Sequence, residues 1–200
     1  LAPEGWHIPT DAEWIDLLDY LGDNGMSNPY SEKLVGAKMK SKEGWIDGRN
    51  GNNESGFKGL PGGGRYGSGA FYDIDYNGYW WSSTEFNTDT AWRLYLYGMV
   101  YRENNYKDDG LSVRCLKRDL SAKKEVKIGQ QVWMVENLNV DKFRNGDPIP
   151  EAKTNEEWEK AADYHQAAWC YYNNDPYNGT KYGKLYNWYA VNDPRGLAPE

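Results

Sequence analysis

Apolar residues along this chain follow two periods. After Thr10, the residues Trp14, Leu17, Leu18 and Leu21 recur at helical spacing, which predicts an amphipathic helix of about three turns. Thr10 and Glu13 form a capping box at its start, and Gly22 supplies its stop. Thr154 and Glu157 form a second capping box, followed by Trp158, Ala161, Ala162 and His165 on one helical face. Strand periodicity dominates the stretch from Gly78 to Leu116. It opens with an aromatic strand, Tyr79 to Thr84, and closes with an apolar one, Leu111 to Leu116. Between them Trp92, Leu94 and Leu96 alternate with Arg93, Tyr95 and Tyr97. That alternation predicts a strand with the Trp/Leu side buried and the Arg/Tyr side open. Val126 to Gly129 and Gln131 to Met134 read as two short strands joined by a Gly-containing turn. Asp23 to Lys42 reads as polar and turn-rich. Gly44 to Gly69, dominated by glycine and asparagine, reads as long irregular structure tied down by Trp45, Phe57 and Leu60.

Two capped helices and several short strands give an α+β class. Composition adds to this picture. The 200 residues hold ten Trp and seventeen Tyr but only four Phe, so indole and phenol hydrogen bonds are expected throughout the core. This aromatic content argues against disorder. The net charge is −7 and no basic run is longer than Lys123-Lys124, which argues against nucleic acid as a partner. No apolar run approaches a membrane span.

The candidate chemistry lies mainly on the strand stretch. Arg93, Tyr95 and Tyr97, with Tyr101, Arg102, Asn104, Asn105 and Tyr106 beyond them and Glu85, Phe86 and Asn87 before them, form a candidate ligand-binding face. Tyr, Arg and Asn combine rigid amphipathic rings with adaptable hydrogen bonding, as recognition surfaces do. Asp47, Asn50, Asn52, Asn53 and Glu54 offer calcium-type oxygens, and so do Asp73, Asp75 and Asn77. Their spacing is not that of an EF-hand, and an Asx-turn-rich loop is the better account. No other cofactor is called for. Cys115 and Cys170 are far apart in sequence; they are either a disulfide of an oxidising compartment or two buried thiols. His7 and His165 lie in unrelated contexts, so no Ser/His/Asp constellation is evident and no enzyme is expected.

Several longer words are more specific. They are Ile128-Gly129-Gln130-Gln131-Val132-Trp133-Met134 with Glu136-Asn137-Leu138; Arg144-Asn145-Gly146-Asp147; Gly183 to Val191; and Gly5 to Thr10 with Glu13-Trp14. Gly56-Phe57, Leu60 to Gly63, Tyr79 to Thr84 and Ser112-Val113-Arg114-Cys115 complete the set. Together they resemble the Fibrobacter succinogenes major paralogous (FISUMP) domain, with the C-terminal half of the family pattern placed first. Leu197 to Glu200 repeats Leu1 to Glu4. The expectation is therefore a single domain, 1–200, in circularly permuted order: 125–200 as the natural N-terminal part, 5–118 as the C-terminal part, and 119–124 as a connector. A cut from a tandem array would read the same way.

The resemblance implies a C-type-lectin-like fold, with two helices packed on twisted antiparallel sheets and long irregular loops. It implies a secreted or surface-anchored bacterial protein. It also implies likeness to the variable proteins that retroelements diversify, with the diversified segment matching Trp80 to Arg114. The formylglycine-generating enzymes share a related fold and use a cysteine pair, which Cys115 and Cys170 do not match. The expected function is a non-enzymatic module that binds a protein or glycan on a cell surface. The alternatives are a calcium-dependent lectin and a structural repeat of a surface fibre. The Glu-Pro-Asn, Gln-Pro-Asp and Trp-Asn-Asp words of calcium lectins are absent.

Overall fold

The Thr10 hydroxyl accepts the Glu13 N–H, and the Glu13 carboxylate accepts the Thr10 N–H in return, so the first helix begins where the capping box places it. In the computed structural model, which describes residues 6–22, 29–117 and 125–197, this helix is α1 (Asp11–Leu21). It ends at Gly22 in the left-handed conformation, φ 109°. Its buried stripe is Trp14, Leu17, Leu18 and Leu21. Thr10→Ala should cost about 1 kcal/mol, measurable by denaturant unfolding, because both halves of the box are formed.

The chain order is β1 (Trp6–His7), α1, α2 (Pro29–Met39), β2 (Gly62–Arg65), β3 (Phe71–Ile74), β4 (Gly78–Glu85), β5 (Thr90–Leu96), β6 (Val100–Tyr106) and β7 (Gly110–Leu111). There follow β8 (Leu116–Lys117), β9 (Glu125–Ile128), β10 (Gln131–Met134), α3 (Asn155–Asp163), β11 (Trp169–Cys170), α4 (Pro176–Tyr182), β12 (Leu185–Asn187) and α5 (Trp188–Val191). Two 3₁₀ turns, Ile46–Gly48 and Tyr172–Asn174, complete the described elements.

The strands form three antiparallel sheets: β1-β8-β10-β9, β11-β12-β7-β2-β3, and β4-β5-β6. The α+β class stands. The two-helix, C-type-lectin-like arrangement does not, because the described residues hold five α-helices and three separate sheets. α3 begins at its capping box as expected, but α2, α4 and α5 fall on segments read as turns or as an undivided aromatic run. His165 lies beyond α3 at φ 51°, stacked on Tyr189.

The glycine-rich stretch also departs from expectation. Gly62-Gly63-Gly64-Arg65 is an inner strand of the five-stranded sheet. A Cβ at Gly64 would fall 2.6 Å from the Tyr72 ring, so glycine lets that ring lie against the backbone. The expected apolar strand Leu111 to Leu116 is divided. β7 belongs to the five-stranded sheet and β8 to the four-stranded one, with Ser112 bridging to Trp80 between them.

Two cores sandwich the β4-β5-β6 sheet. On one side Trp80, Leu94, Leu96 and Val100 pack with the α1 stripe, Val35, Met39, Phe57 and Trp133. On the other, Tyr79, Trp81 and Ala91 pack with Leu111, Val113, Tyr186 and Trp188. A third cluster, with Trp158, Cys170, Tyr172 and Leu185, lies beneath α3. The expected indole bonds are made in part: Trp45, Trp80, Trp81, Trp133, Trp169 and Trp188 each donate from Nε1, whereas the buried Nε1 atoms of Trp14 and Trp158 find no acceptor among the described residues. No described helix is long and apolar enough to cross a membrane. Residues 119–124, read as the connector, lie outside the described residues, as do 1–5 and 198–200.

Candidate binding face

Strand register decides which of the candidate residues share a face. In β5–β6 the paired positions are Tyr95 with Tyr101, Arg93 with Glu103, and Ala91 with Asn105; between them come Leu94 with Arg102, Trp92 with Asn104, and Thr90 with Tyr106. Cross-strand partners point to the same side. The set expected to form one surface is therefore split between two sides. Arg93, Tyr95, Tyr101 and Asn105 lie on one. Arg102, Asn104 and Tyr106 lie on the other, beside Trp92.

The first side carries a continuous row of tyrosines. Tyr66 stacks on Tyr72 at 4.1 Å, Tyr72 meets Tyr79 edge-on at 5.5 Å, Tyr79 meets Tyr95 at 5.5 Å, and Tyr95 stacks on Tyr101 at 4.7 Å. Arg93 lies over Tyr79 at 4.6 Å and over Tyr95 at 5.7 Å, and pairs with Glu103 at 2.6 Å. Its side chain is only 12% exposed, so it anchors the row from beneath rather than projecting as expected. Burial opposes its charge, but the neighbouring phenols and Glu103 hold its pKa above the ordinary value.

Polar groups fix the rings. Tyr79 donates to Asp73 at 2.6 Å, and Asn105 donates to Asp109 at 2.7 Å. Burial, reinforced by these carboxylates, raises the Tyr72 and Tyr79 pKa values, so both rings keep their protons. Exposure is greatest at one end: Tyr66 is 48% exposed, whereas Tyr72, Tyr95 and Tyr101 are partly buried. Tyr66 and Tyr72 were not among the sequence candidates. Only the pairing of β2 with β3, far from β5 in sequence, brings them into line.

The second side is smaller. Arg102 lies over Trp92 at 5.0 Å and donates to Asp11 at 2.6 Å, and Phe86, 51% exposed, meets Trp92 edge-on. Trp92 is partly buried rather than a core residue. Asn104 and Tyr106 are exposed. Glu85 and Asn87 serve the hairpin itself. Glu85 pairs with the buried Lys107 at 2.8 Å, and the Asn87 side-chain oxygen accepts from the Asp89 and Thr90 N–H groups. Tyr97 lies apart, 39% exposed with Arg49 against its ring at 4.9 Å.

The calcium-type oxygens have local partners. Asn50 accepts from Trp45, Asn52 from Glu54 and Asn53 from Lys58, all backbone N–H groups, while Glu54 is 3.8 Å from Lys38. Asp47 sits at φ 52° in the first 3₁₀ turn. Asp73 and Asp75 accept from tyrosine hydroxyls, and Asn77 donates to Asp73. Among the described residues no group of three His, Cys, Asp or Glu is placed to hold a metal. Cys115 and Cys170 are both free and buried, in different core clusters, so the disulfide alternative is not formed. Burial pushes both thiols up to about 12.

The words that carried the resemblance converge on Arg114, which is 1% exposed. Its Nη1 donates to the carbonyls of Phe57 and Met134, and its Nε and Nη2 donate to the Asn137 side-chain oxygen, which Trp80 Nε1 also reaches. Four separated motifs thus share one hydrogen-bonded knot. No curated protein and no solved structure matches the chain. The Fibrobacter succinogenes major domain matches residues 1–117 and 126–200, and the chain belongs to that family.

Proposed function

We propose that this domain is a non-enzymatic recognition module of a bacterial secreted or surface protein, binding a protein or glycan through its tyrosine row. The observation that carries this reading is the unbroken run Tyr66-Tyr72-Tyr79-Tyr95-Tyr101, seated on Arg93 and held by Asp73 and Asp109. Tyr79, 5% exposed, is the buried centre of the run; Tyr66, Tyr72, Tyr95 and Tyr101 present its area, at little entropic cost because their rotamers are already fixed. The row draws on β5 and β6, the middle of the segment that in diversified relatives would vary. Strand pairing there would survive changes at its outer positions. The family match breaks over 118–125, where the circularly permuted reading puts its connector and where a cut from a tandem array would break too.

The test is a screen of the domain against glycan and bacterial-surface protein arrays, with and without chelator, followed by Tyr66→Ala with Tyr101→Ala. Binding should fall at least tenfold, about 1.4 kcal/mol. The Tm should move by no more than about 4 °C, since both rings are at the ends of the row. Undiminished binding by the double variant would overturn the assignment. Loss of binding in chelator would favour the calcium lectin instead.

A further inference from the structure

We infer that the cleft between the end of α2, the 49–52 loop and the β5–β6 turn is a second binding site, one that takes a carboxylated sugar. It has a volume of about 300 Å³ and is lined by Lys33, Lys40, Arg49, Asn50, Tyr97 and Gly98. None of its lining residues belongs to the tyrosine row, and no carboxylate lines it.

The walls are pressed together by glycines. A Cβ at Gly36 would lie 3.2 Å from the Met99 carbonyl carbon, so α2 sits directly against the β5–β6 turn. A Cβ at Gly51 would fall 2.5 Å from Lys40 Cβ, so the loop closes equally tightly on the helix end. Gly51 N–H donates to the Ser41 carbonyl and Asn52 N–H to the Ala37 carbonyl, fixing that wall. Asn50 spends its side-chain oxygen on Trp45 N–H, which leaves its amide nitrogen to donate.

Charge gives the site its sign. Lys40 is 4% exposed, lies 4.4 Å over the Trp45 ring, and reaches only the Arg49 carbonyl, at 3.3 Å. Neither Lys33, Lys40 nor Arg49 pairs with a described carboxylate. Three cations without a counter-ion among the described residues, on a protein of net charge −7, give this cleft a positive sign. Burial, with Arg49 nearby, lowers the Lys40 pKa to about 8, which an incoming anion would reverse. The Tyr97 ring beside these cations adds a flat apolar surface that a bare ion would not use. A sugar acid uses both: its C–H face packs on the exposed part of the Tyr97 ring that Arg49 leaves free, while its carboxylate meets Lys40 and Arg49.

The experiment is an NMR titration of the domain with glucuronic acid, glucose, inorganic sulfate and an aspartate-rich peptide. Glucuronate should bind with a Kd on the order of 1 mM, and glucose should not bind. Lys40→Met should weaken glucuronate at least tenfold, and the surface variant Arg49→Gln, which tests the site even if Lys40→Met fails to fold, about fivefold. Tyr97→Ala should weaken glucuronate but leave sulfate unchanged. Tyr66→Ala with Tyr101→Ala should leave glucuronate binding intact, which separates this site from the tyrosine row. Three results would overturn the inference: no glucuronate binding up to ~50 mM, binding indifferent to Arg49→Gln, or sulfate or the peptide binding as tightly as glucuronate.

Discussion

Replacing Arg114 with Met is expected to lower the Tm by about 6–12 °C, the equivalent of about 3 kcal/mol. The side chain is buried and makes four hydrogen bonds to three acceptors: the Phe57 and Met134 carbonyls and the Asn137 side-chain oxygen. Met fills a similar volume but donates nothing. The buried Phe57 carbonyl and the partly buried Met134 carbonyl lose this donor, at ~1–3 kcal/mol for each left unsatisfied. Against that, removing a buried cation relieves a desolvation cost large enough to lower the Arg114 pKa to about 9. The first effect should win because the Phe57 carbonyl is buried and held by the backbone, and the Asn137 oxygen is held in place by Trp80 Nε1. Asn137→Ala should be strongly non-additive with Arg114→Met, since both remove the same contact. Thermal melts of the two single variants and the double variant measure this. Additive losses, or a Tm unchanged in Arg114→Met, would show that the knot contributes little.

Trp133→Ala should be at least as damaging, at roughly 3–5 kcal/mol. Trp133 is 0% exposed in β10, 4.6 Å from the Trp14 ring and 5.9 Å from Phe57, and its Nε1 donates to Gln131. Those neighbours belong to α1 and to the loop before β2, so truncation would leave a cavity whose walls cannot close together. Denaturant unfolding should show a lower midpoint with an unchanged m-value. A loss under about 1 kcal/mol would mean that the walls collapse after all.

Local signals were legible in the sequence. Both capping boxes begin helices where Thr10 and Thr154 stand, and the β9–β10 turn forms at Gly129, φ 61°. The alternation in β5 is real too. What alternation could not give was the register with β6, and register decides that Arg102 sits with Trp92 while Tyr101 sits with Tyr95. α2 escaped notice because it has almost no apolar stripe; Val35 and Met39 are buried in it, and Gly36 lets it press against Met99. β2 escaped because a run of three glycines reads as loop, although here it is a strand overlain by Tyr72. Arg65 and Arg114 were illegible for another reason. Arginine is ordinarily exposed, and only the fold shows Arg65 fully buried, donating to the Gly69, Ala152 and Thr154 carbonyls.

The division of residues 110–117 between two sheets bears on the order of assembly. The β4-β5-β6 meander pairs neighbours in sequence and can form as soon as Tyr106 has been made. β7 can pair with β2 and β8 with β1 at once, but their other edges have to wait, Leu111 for Tyr186 of β12 and Leu116 for Trp133 of β10. On a ribosome, α1, α2 and Phe57 are made before the meander and can cover one face, but the face that takes Tyr186 and Trp188 would stand partly uncovered while the next 80 or so residues are synthesised, a delay of roughly 4–16 s at ordinary elongation rates. Long-range closures of this kind slow folding, and for this chain they would make the seam, rather than the meander, the last part to become native.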